Sequence, residues 1–478
     1  MLVIIVCVLL GKKGTWRLMK MELTGATGSL KNDLMCEESK VDIRIVTESD
    51  LMCEELITDV PLVMEPAQWP ECCIYRVPKN LRLINKEAYS PKLISIGPFP
   101  RGKEEVRDME KLKVRYLKEF CYRTGKCQKE IARVIEENEV KIRHCYEEIF
   151  DISSEDFVKM VLLDSTFIIE LFLRANDEKD SMSSKPLLNC HIQADLILLE
   201  NQLPFFILEE LHKKFSQKQN SDNSFFMLAR KYFTLYIKNT PAENNEVKHF
   251  TDLIRYSRRP QSELKFEERC DLYSATKLHA AGVVFKKNDK EGPLDVNFQK
   301  CQPLDKCPCF TCLWLLNWLP CLKCFRCLER MQPLLNFPSI TIDDGTEGLL
   351  RNIMALEQCH YPFEAYTCNY MLLLDYLIDT REDVDLLVKE KIIANQLGSN
   401  EAVANMVNKL SLEIVENKSC YADLARDLNK HYDQCCNHNM ASLRSIYFAD
   451  VWRGTGTIVG LIVFGFTFWN TIRPYVIK

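Results

Sequence analysis

From Gly454 to Ile472 the chain reads GTGTIVGLIVFGFTFWNTI, nineteen positions without a charge, with Arg453 before it and Arg473-Pro474 after it. Few structures accommodate such a run. As a helix rising about 1.5 Å per residue it matches the hydrocarbon core of a bilayer, about 30 Å thick. Trp452 and Trp469 lie near its ends, where interfacial aromatics sit. Gly456, Gly460 and Gly465 are poor helix formers in water but tolerated in lipid. A buried C-terminal helix is the alternative. The pattern predicts a single transmembrane helix over 454–472, followed by six residues, and hence a tail anchor. Gly456-x-x-x-Gly460 would let two such helices approach and leaves a homo-oligomer open; a lipid-facing pair of small residues is the simpler reading. The flanking charges are too balanced to fix an orientation.

Composition narrows the rest. The chain has 478 residues, with 62 Lys+Arg against 67 Asp+Glu and a formal charge of −5. At about 150 residues per domain this allows two to three domains or one large one. Either can bury a sizeable core without disulfides. A hydrophobic share of 47% and a charged share of 27% exclude a wholly disordered chain, a collagen and a multi-span membrane protein. With acids in excess, nucleic acid is not an expected partner.

Of the 22 cysteines, seven (Cys301, Cys307, Cys309, Cys312, Cys321, Cys324, Cys327) fall within 27 residues. The others are scattered singly or as the doublets Cys72-Cys73 and Cys435-Cys436. Such scattering, without a convincing signal peptide, points to free or buried thiols in a reducing compartment. Met1–Leu10 is apolar, but Lys12 and Lys13 follow it rather than precede it, and no small-residue cleavage site is evident. An N-terminal extension ahead of a start at Met19 or Met21 is expected, with a degenerate signal sequence as the alternative. The sequon Asn417-Lys418-Ser419 is a lone, weak match.

Residues 1–70 read as a loosely ordered leader in which Asp33–Glu38 recurs as Asp50–Glu55. Order is expected from Cys72. Ile74–Pro78 and Tyr89–Pro98 read as short strand-like pieces. Met109, Leu112, Tyr116 and Phe120, at three- and four-residue spacings, predict a helix or helix pair over 104–149, broken at Thr124-Gly125. Further helices are predicted over 155–174, 191–215 (kinked or divided by Pro204), 224–237, 271–281, 346–358, 365–379, 382–396, 400–411 and 417–433. Short strands are predicted near 282–286 and 339–342. The expected fold class is mainly α.

The sequence holds no phosphate loop, nucleophile elbow, kinase motif set or His-Glu-x-x-His pair. Asp164, Glu200 and Asp343 are the carboxylates an enzyme of unrecognised class would use, but each is a lone signal. Asp344-Gly345 reads as a turn, with Asp344 or Thr346 capping the next helix. Cys309-x-x-Cys312 and Cys321-x-x-Cys324 are paired knuckles of the kind that hold zinc. Their spacer, Leu313–Pro320, is short and greasy for such a site. With Lys323, Arg326 and Arg330 following, it fits a membrane-surface loop open to palmitoylation better. Free thiols without a special role are the third reading.

Several segments then point to one family. They include Arg76-Val77-Pro78, Ala88-Tyr89-Ser90-Pro91, Ile94-Ser95-Ile96-Gly97-Pro98-Phe99 and Met109-Glu110-Lys111-x-Lys113-x-Arg115-Tyr116-Leu117. Leu81-Arg82, Leu163-Asp164-x-x-Phe167-Ile168-Ile169-Glu170-Leu171, Asp195-Leu196-x-Leu198-Leu199-Glu200-Asn201-Gln202-Leu203-Pro204-Phe205-Phe206, Ala275-x-x-Leu278-x-x-Ala281-Gly282-Val283-x-Phe285, Ile340-x-Ile342-Asp343-Asp344, Leu349-Leu350-Arg351-Asn352 and Glu357-Gln358-Cys359 complete the set. From about residue 72 to the C-terminus the chain resembles the plant domain-of-unknown-function 247 proteins, also called uncharacterised protein family 0481. The resemblance implies a plant membrane-associated protein, anchored at its C-terminus, with no established enzyme activity. It also implies a link, in some relatives, to pollen–stigma recognition in grass self-incompatibility. Two departures stand out. The family's histidine pair after Gly-Pro-Tyr is replaced here by Pro100-Arg101-Gly102, which weakens any metal or proton chemistry there. The Cys-rich stretch at 301–330 is an insert outside the family pattern.

The expected organisation is a leader (1–70), one large helical domain (71–450) carrying the insert (301–330), and the transmembrane helix (454–472). Glu200, Asn201 and Gln202, beside Pro204, are expected to be buried and to satisfy irregular backbone near a helix break. The expected function is that of a non-catalytic recognition, signalling or scaffold protein with a protein partner and no cofactor. It would cross the plasma membrane once, with its bulk in the cytosol. The alternatives are an enzyme of unrecognised class, or a lipid-surface or zinc-binding module built on the insert.

Overall fold

The computed structural model describes residues 4–7, 18–21, 68–99, 107–176, 186–215, 224–237, 247–260, 264–288, 292–300, 333–447 and 451–476. The duplicated hexapeptide and the Cys-rich insert, with Cys309, Cys312, Cys321 and Cys324, lie outside them. Two units are distinguished, Met1–Glu65 and Pro66–Lys478. In the first, β1 (Ile4–Cys7) and β2 (Leu18–Met21) pair antiparallel, with Ile4 opposite Met21.

The second unit is mainly helical, as its periodicity predicts. After the short α1 (Lys79–Ile84) come α2 (Arg107–Thr124) and α3 (Gln128–His144). Gly125, at φ +67°, makes the expected break between them. Both pack on α4 (Ser154–Asn176), which is buried along most of its length. Next are α5 (Pro186–Leu196), α6 (Phe205–Phe215), α7 (Phe225–Tyr232) and α8 (Phe250–Ser257). Together with the segment Ile94–Phe99 these helices enclose the first hydrophobic core, which includes Phe157, Phe172, Phe205 and Phe250.

A second core lies among α9 (Ala275–Ala280), β3 (Val284–Lys287), β4 (Asn297–Gln299), β5 (Leu334–Phe337) and β6 (Ile340–Ile342). It continues through α11 (Tyr366–Leu377), α12 (Arg381–Lys389), β7 (Ile393–Asn395), α13 (Asn400–Leu410) and α14 (Ala422–Asp433). In the three-stranded sheet β5 is central, parallel to β3 and antiparallel to β4; β6 and β7 form a separate parallel pair. Between the cores runs α10 (Thr346–His360). Leu349 and Ile353 belong to the first core and Leu350 and Met354 to the second. Ala355 and Leu356 join a third, small cluster with Val77, Leu81, Tyr89 and Leu199. A helix with apolar residues on so many sides must be enclosed by other elements.

The chain ends in α15 (Cys435–Tyr447) and α16 (Val451–Val476). Within α16, Trp452–Arg473 is long and apolar enough to cross a membrane, and it is the one such helix among the described residues. Its apolar side chains, from Val459 through Phe464 to Trp469, are exposed.

Some expectations needed correction. Ile74–Pro78 and Tyr89–Pro98 form no strands. Ile74 makes one isolated parallel bridge to Tyr146, and the second segment is irregular, its backbone bonded by side chains instead. The helix predicted over 382–396 is α12 followed by β7, because Lys391 turns the chain at φ 61° and Ile340 N–H then bonds Ile392 O at 2.8 Å. Pro204 divides 191–215 outright into α5 and α6. The turn before α10 falls at Asp344-Gly345 as expected, but the N-cap is Gly345 and neither Asp344 nor Thr346 caps the helix; the turn is held by Asp343. Its carboxylate accepts from Gly345 N–H at 3.0 Å and from the Thr346 hydroxyl at 2.7 Å.

Gly97 is the most closely hemmed of the described glycines. Its φ is +73°, and a Cβ there would lie 2.5 Å from the carbonyl oxygen of Gln202. Gly97→Ala is expected to cost roughly 2–4 kcal/mol, through backbone strain and displacement of that carbonyl. Gly125→Ala, also at positive φ but with nothing within 4 Å of its Cβ, should cost only about 1 kcal/mol. Denaturation midpoints of the two variants check the difference.

Candidate functional site

Pro91–Phe99 passes into the first core without a strand partner, so its buried amides and carbonyls need partners from elsewhere. Side chains supply them. The carboxylate of Asp195, in the last turn of α5, accepts the N–H groups of Lys92, Leu93 and Ile94 at 2.9, 2.6 and 2.8 Å. Asn201 Oδ1 accepts from Ile96 N–H at 2.6 Å. Asn201 Nδ2 donates to the carbonyls of Ile94 (3.0 Å) and Asp195 (2.8 Å). Asp164, on α4, accepts from Gly97 N–H at 2.9 Å. Lys113, on α2, donates to Asp164 at 2.6 Å and also to the carbonyl of Ser95.

The loop between α5 and α6 is held in the same way. Gln202 Nε2 donates to the carbonyls of Leu196 and Leu198 at 2.6 and 2.8 Å. With Asn201 it thereby caps the end of α5, where helical carbonyls lack partners. Gln202 Oε1 accepts from Phe250 N–H at 3.0 Å, at the start of α8. The Gln202 carbonyl accepts the Tyr146 hydroxyl at 3.0 Å. Glu200 accepts from Val77 N–H at 2.7 Å, pairs with Arg82, and lies 3.5 Å from Arg76. Leu199 N–H donates to Asn352 Oδ1 at 2.9 Å, and Asn352 Nδ2 donates to the carbonyls of Ala88 and Gly348, each at 2.8 Å. The expectation for Glu200, Asn201 and Gln202 is met at all three positions: each is buried and each bonds main chain.

The three carboxylates singled out from sequence do not converge. Asp164 and Glu200 bond different segments and share no partner, and Asp343 is an exposed turn residue. Burial pushes the carboxyls of Asp164 and Asp195 above their ordinary range, against Lys113 and the donated N–H groups.

A second polar cluster joins α8, α10 and the segment after Cys72, and sequence reasoning missed most of it. His249 precedes α8. Its Nδ1 accepts from Asp252 N–H at 3.4 Å and its Nε2 lies 3.1 Å from the carbonyl of Cys73, so Nε2 carries the proton. Burial depresses its pKa to about 4. His360 Nδ1 is 2.9 Å from the Tyr75 hydroxyl, and burial lowers its pKa too. Glu357 accepts from the N–H groups of Thr367 (3.1 Å) and Cys368 (2.9 Å) and lies 3.5 Å from Arg255 Nε, both side chains being buried. The Arg255 guanidinium also sits 3.7 Å from the centroid of Tyr361. Phe250, Leu253 and Ile254 carry a helical spacing that could have revealed α8. Its start was obscured because histidine is not a customary N-cap.

Ten described cysteines are free thiols: Cys72, Cys73, Cys121, Cys127, Cys145, Cys190, Cys270, Cys359, Cys368 and Cys420. Among the described residues no three His, Cys, Asp or Glu side chains group as a metal would require. What the clusters visibly do is bond backbone: lone pairs of Asp195, Asn201, Gln202 and Glu357 are taken up by main-chain N–H groups.

Residues 74–466 match the family model DUF247, described as plant protein of unknown function. The chain belongs to this family. Two Arabidopsis thaliana members are similar to it. UPF0481 protein At3g47200 is 27% identical over 414 residues, covering 81% of this chain and 83% of its own. UPF0481 protein At3g02645 is 21% identical over 456 residues, covering 80% and 86%. No solved structure matches the chain. The matched span takes in both polar clusters and most of α16.

Two outcomes follow from these clusters. Asn201→Asp should destabilise the fold by about 2–3 kcal/mol, because a carboxylate oxygen would then face the carbonyls of Ile94 and Asp195. Its Tm measures this. For His249 the folded pKa of about 4 lies below the ordinary 6.5. Between those values the unfolded chain binds more protons, so stability falls as pH drops through the window, by about 3 kcal/mol in full. His249→Asn, which keeps an acceptor at the N-cap, should flatten the Tm–pH curve there.

Proposed function

We propose that this family member is a single-pass membrane-tethered protein with a non-catalytic recognition, signalling or scaffold role. The observation that carries the reading is α16. Its apolar side chains face no core, and glycines 456, 460 and 465 have nothing within 4 Å of a built Cβ. An exposed apolar surface of that length is unfavourable in water and matched by lipid. The non-catalytic part rests on the polar clusters. Asp164, Asp195, Glu200 and Glu357 are each engaged by main-chain N–H groups rather than aimed at an open substrate position. The partner is then a protein, the anchor sits in the plasma membrane, and the bulk of the chain faces the cytosol.

Fractionation with carbonate washing tests the tether. The full chain should stay in the pellet and dissolve in detergent, and a chain lacking 452–478 should move to the supernatant. Proximity labelling of both forms reads the partner set, which should shift on deletion. A truncated chain that stays with membranes and keeps the same labelled neighbours would overturn the reading.

A further inference from the structure

We propose that Cys73 and Cys145 form a reversible disulfide, a modification site that ties the entry segment of the helical unit to the end of α3. The bridge between Ile74 and Tyr146 is parallel, so Cys73 and Cys145 stand opposite one another, one residue before it on each side. Cys73 N–H and Ile74 N–H both donate to the carbonyl of Cys145, at 3.0 and 2.9 Å, and Glu147 N–H donates to the Ile74 carbonyl at 3.0 Å. Chains paired in this way lie about 4.8 Å apart, inside the roughly 4.4–6.8 Å between Cα atoms that a disulfide needs. Both thiols are buried in the first core. Cys145 Sγ donates to the Lys141 carbonyl at 3.3 Å. Contact with Cys145 and burial together hold the Cys73 thiol well above its usual range. In the closed fold the Cys73 thiol is therefore protonated and slow to react. Exchange proceeds when the Cys72–Pro78 segment opens locally.

The step needs a disulfide oxidant, and a low-molecular-weight disulfide such as glutathione disulfide supplies it. One cysteine thiolate attacks a sulfur of the oxidant, expels one small thiolate and becomes a mixed disulfide. The second cysteine thiolate attacks the protein sulfur of that bond and expels the other small thiolate. The protein loses two protons and two electrons, and the oxidant is reduced to two thiols. The new bond closes a loop holding α1, Pro91–Phe99, α2 and α3. It therefore fixes covalently the segment from which Val77 reaches Glu200.

The test uses the full chain in detergent, equilibrated with glutathione disulfide, quenched in acid, alkylated and mapped by mass spectrometry. The expected product is a peptide pair joining Cys73 to Cys145, lighter than the two reduced peptides by two hydrogens and lost on treatment with dithiothreitol. The oxidised chain should melt higher than the reduced one. Exposed Cys127 and Cys190 should carry glutathione in the same sample, showing that the oxidant acted. Cys145→Ser should abolish the cross-link. If that variant does not fold, the map of the unaltered chain decides alone. Recovery of Cys73 and Cys145 as alkylated thiols while Cys127 and Cys190 are modified, or pairing of Cys73 with any other cysteine, would overturn the proposal.

Discussion

An extended segment buried in a helical domain has no sheet to accept its backbone, and Pro91–Phe99 meets that constraint with side chains. Each unpaired buried amide would cost about 1–3 kcal/mol, and five N–H groups between Lys92 and Gly97 are bonded to Asp195, Asn201 and Asp164. Much else follows from this. Asp195 must sit at the end of α5, Asn201 and Gln202 in the loop beyond it, and Asp164 midway along α4. Gly97 must remain glycine because the chain passes against the carbonyl of Gln202. The loop from Ile197 to Pro204 in turn holds α8 through Gln202 and α10 through Leu199 and Asn352.

The two cores are joined along α10 by charge as well as by packing. Arg255 and Glu357 are buried together, and Lys113 and Asp164 form a second buried pair. Such pairs add little net stability, because desolvation offsets the attraction, but losing one partner is costly. They tie α2 to α4 and α8 to α10. In both pairs the charged groups are turned inward, where they also bond the chain's own backbone.

Much of this is legible in the amino-acid sequence. The spacing of Met109, Leu112, Tyr116 and Phe120 located α2. Pro204 marked a division, and the uncharged run 454–472 marked α16. The polar triplet Glu200-Asn201-Gln202 beside that proline was legible as backbone support because those residue types, set among leucines, must be satisfied when buried. Which backbone they support was not legible: Ile94 and Asp195 are 101 residues apart in sequence. Tyr89–Pro98 resembled a strand because buried irregular chain and buried strand share the same apolar residues. Ile392 and Ile393 continued a helical spacing past Lys391, where a left-handed turn ends α12 and releases β7. Glu357 fell in a predicted helix as an ordinary charged residue and Arg255 in no predicted element; only the packing of α8 on α10 pairs them.

Amide hydrogen exchange on residues 92–97 tests the central claim most directly. If side chains of Asp195, Asn201 and Asp164 hold this segment as a strand partner would, the amides of Leu93, Ile94, Ile96 and Gly97 exchange as slowly as those in the middle of α4, opening only with global unfolding. Exchange of those amides at the rate of an exposed loop, while α4 stays protected, would contradict it.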